Sequence, residues 1–91
     1  MVTPFGPPDP DDPYAAVPDS VLHDVLAETA DALGAEYARI ARRAGPEEGE
    51  AAWRRVRELA DERREAVLGG RDRVADRIGA WRREADALRG R

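Results

Sequence analysis

From residue 19 to residue 88 the apolar side chains of this chain recur in steps of three and four, with glycine-containing breaks at Gly45-Pro46 and Gly69-Gly70. Such spacing gathers side chains on one side of an α-helix but scatters them over both faces of a strand, so it predicts helices and excludes a sheet. In the first segment Leu22, Leu26, Ala30, Leu33, Tyr37, Ile40 and Ala44 draw one continuous stripe. In the last, Val74, Ile78, Trp81, Ala85 and Leu88 draw a narrow seam of the kind found in coiled coils. The middle segment is less regular. Trp53, Val56, Ala60 and Val67 keep the pattern with Leu59 beside them, but Arg63 occupies the stripe position between Ala60 and Val67. Its aliphatic stem is expected to lie on the apolar surface with the guanidinium in water.

The boundaries follow from local chemistry. Six of the seven prolines fall within residues 1–18, interleaved with Asp9, Asp11 and Asp12. Proline fixes φ and lacks a backbone donor, so this stretch is expected to be an extended or disordered tail, with a second expectation open, that it is an arm carrying Phe5 and Tyr14 that orders on a partner. Asp19 or Ser20 is suited to cap the first helix, and Asp72 the third. Gly45 suits a left-handed helix exit, and Pro46 a first helical position followed by the acidic Glu47 and Glu48. The expected fold is therefore all-α: a three-helix antiparallel bundle, or a long helical hairpin with a packed third helix, with helices over about 19–44, 46–68 and 72–90 in one domain of residues 19–91.

Composition narrows the function. With 91 residues the core must be thin, and much of the 42% hydrophobic content is alanine. The absence of cysteine removes disulfides, thiolate metal sites and cysteine nucleophiles. His23, the single histidine, has no helically spaced carboxylate set around it that suggests a metal site, and Ser20 and Thr29 read as a cap and a helix-face residue rather than nucleophiles. Gly69-Gly70 lacks the lysine and hydroxyl of a phosphate loop. Acid–arginine pairs such as Glu50 with Arg54 and Arg57 with Asp61 are spaced for surface ion pairing. The chain is thus expected to be no enzyme and to need no cofactor. No apolar run approaches the length of a membrane span and no signal peptide is legible, so a cytoplasmic protein is expected. The arginines around the last helix are interleaved with Asp72, Asp76, Glu84 and Asp86, and the net charge is −4, which argues against nucleic acid.

What remains is binding to protein. Residues 1–45 hold eight acids against three arginines, and no arginine precedes Arg39. On the first helix Asp24, Glu28 and Asp31 step by four and three and so project from one side. They are read, with Tyr14, as candidate partner-binding residues, because carboxylates so placed can stand in for phosphates in a basic cleft.

The segments Trp53-Arg54-Arg55-Val56-Arg57-Glu58-Leu59-Ala60-Asp61-Glu62-Arg63, Arg71-Asp72-Arg73-Val74-Ala75-Asp76-Arg77-Ile78 and Trp81-Arg82-Arg83-Glu84-Ala85-Asp86-Ala87-Leu88 resemble the small three-helix antitoxins paired with zeta-type kinase toxins in actinobacteria. The resemblance covers about half of the chain and no catalytic signature. It implies an antitoxin that neutralises a toxin kinase by obstructing its nucleotide-binding cleft, with the first helix as the blocking element. Residues alone leave a second expectation open: a helical adaptor or scaffold that pairs with another helical protein, or with itself, as a hetero- or homo-oligomer.

Overall fold

The computed structural model describes residues 16–90 and contains three helices, α1 (Asp19–Arg43), α2 (Pro46–Leu68) and α3 (Arg71–Arg89). Most of the expected tail, with Tyr14, lies outside the described residues. The bundle is built on α1, which packs extensively against both other helices, whereas α2 and α3 touch each other much less.

The stripes of α1 and α3 form the core as their spacing predicts. Leu22, Leu26 and Leu33 of α1 and Val74, Ile78 and Trp81 of α3 are wholly buried, and Tyr37 and Leu88 pack on the margin. Burying each of the large side chains is worth about 1.5–3 kcal/mol, enough to hold a thin core together when six of them converge.

The joints differ from expectation in three details. α1 is preceded by Pro18, whose carbonyl accepts from the Leu22 amide at 2.9 Å, so Asp19 is a first-turn acid and no side chain caps the helix. Ala44 and Gly45 leave α1 in extended backbone instead of a left-handed turn, because a residue before proline is pushed out of the helical region and Pro46 opens α2 directly. Gly70, not Asp72, stands at the start of α3, with φ +93, which only glycine adopts without strain. Asp72 sits in the first turn instead, where its charge still suits the helix dipole.

The larger correction concerns α2. Trp53 and Val67 do not line the core: they are 41% and 40% exposed, and Ala60 is exposed as well. The face turned inward is Gly49, Ala52, Leu59 and Ala66, with Arg55 and Glu62 half-buried between them. The inner residues from Ala52 onward also step by three and four, one residue behind the stripe that hydropathy favours. Gly49 allows this rotation, since a Cβ there would stand 3.3 Å from the Ala41 carbonyl oxygen of α1.

Candidate protein-binding surface

Arg55 is tolerated at the helix junction because α2 and α3 supply carboxylates to it and α1 supplies a hydroxyl to one of those carboxylates. Its Nε donates to Glu84 Oε2 at 2.8 Å and its Nη2 to Glu84 Oε1 at 2.7 Å, a two-pronged contact from α2 to α3. The same guanidinium pairs with Glu62. Glu62 also accepts from Arg77 Nη1 at 3.0 Å and from the Trp81 indole at 3.2 Å, and the Tyr37 hydroxyl of α1 donates to Glu84.

The electrostatics follow from that geometry. Hydrogen bonds from Arg55 hold both Glu84 and Glu62 below the usual carboxylate range, and the two carboxylates raise Arg55 further above its ordinary value. Burial, then the bond to Glu84, raises the Tyr37 phenol. Among the described residues no buried side-chain nitrogen or oxygen lacks a hydrogen-bond partner. The members of this cluster are thus engaged in joining helices.

Rotating α2 toward these charges leaves its second stripe outside. Trp53, Val56, Ala60, Arg63 and Val67 run along the outer side of α2, with Leu68 85% exposed at its end. Beside them α1 presents small side chains, Ala30, Gly34, Ala35 and Ala38, so the two helices enclose an open groove of about 400 Å³ whose α2 wall is Val56, Leu59, Ala60 and Arg63. The groove continues past Ala60 to an apolar end formed by Val67 and Leu68.

The sequence-derived acidic residues lie next to this surface. Asp24, Glu28 and Asp31 are all exposed on α1. Asp31 lines the α1–α2 groove, whereas Glu28 lines a separate depression against α3 that also holds Arg82 and Arg89. His23 is exposed on α1, and Thr29 spends its hydroxyl on the Val25 carbonyl at 2.7 Å. Among the described residues no group of His, Cys, Asp and Glu is arranged to hold a metal ion, and no helix is long and apolar enough to cross a membrane.

The inner α2 stripe escaped the sequence analysis because Arg55 and Glu62 interrupt it. A signal was present: Arg77 and Glu84 flank Trp81 on the core side of α3, offering one charge of each sign to a neighbouring helix.

The chain matches no known family model, no curated protein and no solved structure.

Proposed function

We propose that this protein is a non-enzymatic helix-pairing module, an adaptor or scaffold whose working surface is the outer stripe of α2 together with the α1 wall of the adjoining groove. One observation carries this reading. α2 has two neighbouring stripes at coiled-coil spacing, and its own fold covers only the more polar one. A half-exposed tryptophan, a valine and a leucine along one helix face, bordered by charge, have the composition of an interface centre.

Site-specific photocrosslinking in the producing cell tests it. A photoreactive residue at position 60 or 67 should give a discrete adduct, and one at position 58 or 65, on the opposite side of α2, should give none. Equal adducts from all four positions, or none from any, would sink the reading.

A second reading is favoured by the acidic line of α1. Asp24, Glu28 and Asp31 are exposed and form no ion pair with another described residue, which suits carboxylates that substitute for phosphates in a toxin kinase. In this antitoxin proposal α1 obstructs the nucleotide-binding cleft of the partner. The combined change Asp24→Asn, Glu28→Gln and Asp31→Asn should keep the helix and weaken neutralisation of a co-expressed zeta-type kinase toxin, and excess nucleotide should compete with the wild-type protein. Unchanged neutralisation by the triple variant at near-physiological salt rejects it.

A further inference from the structure

We infer that the occupant of the α1–α2 face is a second copy of this chain, docked antiparallel about a two-fold axis that passes through the groove at Ala60. This rests on the helix-pairing reading above and adds the identity and direction of the partner.

The outer stripe of α2 is self-complementary when reversed. With Ala60 set opposite Ala60 of the second copy, Trp53 falls opposite Val67, and Val56 falls opposite the stems of Arg63 and Arg64. The largest side chain of the stripe thus meets a smaller one, and alanine sits at the crossing point where two backbones approach most closely. Trp53 and Val67 are the residues that the isolated fold leaves two-fifths exposed.

An independent feature of α1 selects the same axis. In the groove Gly34 of α1 packs on Leu59 of α2, where an added Cβ would stand 3.9 Å from the Leu59 Cδ1, and because the two helices run antiparallel Leu33 is then level with Ala60. A two-fold at that level sets Asp24 opposite Arg42 of the second copy and Asp31 opposite Ala35. The outer face of α1 is acidic in its first half and basic at its end, so an antiparallel copy matches opposite charges twice over, whereas a parallel copy would set Asp24 on Asp24 and Arg42 on Arg42. Neither Asp24 nor Arg42 forms an ion pair with another described residue, so both charges are available to the second copy. On the far rim Arg57 and Arg64 come together, but each already has an acid beside it, Glu50 at 3.3 Å and Asp61 at 3.4 Å. The product is an isologous four-helix layer in which α1 and α2 of each copy face their equivalents.

The chain has no cysteine, so engineered thiols report geometry directly. Under mild oxidation Ala60→Cys should form a disulfide dimer, Glu58→Cys should not, and Val67→Cys should pair with Trp53→Cys but not with itself. By sedimentation equilibrium the wild type should be dimeric, Asp24→Arg and Arg42→Asp should each weaken the dimer at least tenfold, and the combination of both in one chain should restore it. All are exposed positions, and circular dichroism checks that each variant keeps its helices. A wild type that stays monomeric into the hundreds of micromolar, or a Val67→Cys dimer as abundant as the Ala60→Cys dimer, overturns the antiparallel homodimer. Photocrosslinks from position 60 to a protein of different mass, with a monomeric wild type, would overturn it too while leaving the helix-pairing reading intact.

Discussion

The two faces of α2 invert the usual relation between hydropathy and burial. The inner face carries Arg55 and Glu62 and is covered; the outer face carries Trp53 and Val67 and is not. The difference teaches that a seam is chosen by what the neighbouring helices offer. Opposite the inner face stand Glu84, Arg77, Trp81 and Tyr37, which satisfy both charges, and around them Leu59 and Ala66 join the common core. Nothing within the described fold offers an equivalent complement to Trp53.

The sharpest way to break this comparison is to place the same charge on each face. Leu59→Asp should abolish cooperative unfolding, since it puts an unpaired carboxylate at a position 3% exposed, at a cost above about 4 kcal/mol. Leu33→Asp and Ile78→Asp, both at wholly buried positions, should do the same. Val67→Asp should alter chemical denaturation of the monomer by no more than about 0.5 kcal/mol. If Val67→Asp unfolds the chain, the outer stripe belongs to the core after all.

A smaller effect is expected from Arg55→Met. It leaves Glu62 and Glu84 without their shared counter-charge, and should lower stability by about 2–3 kcal/mol, less than for a fully buried pair because these side chains keep a fifth to a quarter of their exposure. Adding Glu62→Gln and Glu84→Gln should recover much of that loss in thermal denaturation. A neutral Arg55→Met would mean that the cluster merely tolerates burial.

Acid titration sharpens the same point. Glu62 and Glu84 are held below the unfolded carboxylate value of about 4.3, so the unfolded state binds protons first as pH falls. Their contribution is complete above that value and is lost as pH drops through their lowered folded values. The slope of stability against pH below about 4.5 should therefore flatten in Arg55→Met.

A smaller loss still belongs to Tyr37→Phe, about 1.5 kcal/mol, the low end for a hydrogen bond to a charged acceptor because the pair is only part-buried. Because burial and Glu84 raise the phenol, its contribution is complete below the unfolded value of about 10 and is lost as pH rises through the folded one. With no lysine and no cysteine in the chain, Tyr14 and Tyr37 are the only side chains that titrate in this range, so an alkaline stability loss that disappears in Tyr37→Phe reads out the half-buried phenol and its bond to Glu84.

Much of the fold was legible because α1 and α3 each present a single unbroken apolar stripe, and because Pro46 and Gly70 punctuate the chain at the two joints. The rotation of α2 was not. Periodicity marks the spacing of a seam but not which of two adjacent seams turns inward, and the deciding partners, Glu84 and Tyr37, come from other helices 29 and 18 residues away from Arg55 along the chain. Of the candidate binding residues, the exposure of Asp24, Glu28 and Asp31 followed from their place opposite the Leu22–Leu26–Leu33 stripe. The groove did not, since it exists only once Ala30, Gly34 and Ala38 are set beside Val56 and Ala60.

The convergence of three helices on Arg55 has a consequence for folding fidelity. Turning α2 by about 100°, the angle of a single residue, would trade one stripe for the other and bury Trp53 in place of Ala52. Hydrophobicity alone favours that mistake. In the misrotated state, however, Glu84 and the Tyr37 hydroxyl would face apolar side chains without a cation, and Trp81 would lose the acceptor of its indole. A charged seam flanked by a greasier neighbour thus behaves as a key cut for one rotational setting: it gives up some stabilisation so that the wrong setting is uncompetitive, and it keeps the Trp53–Val67 stripe on the outside.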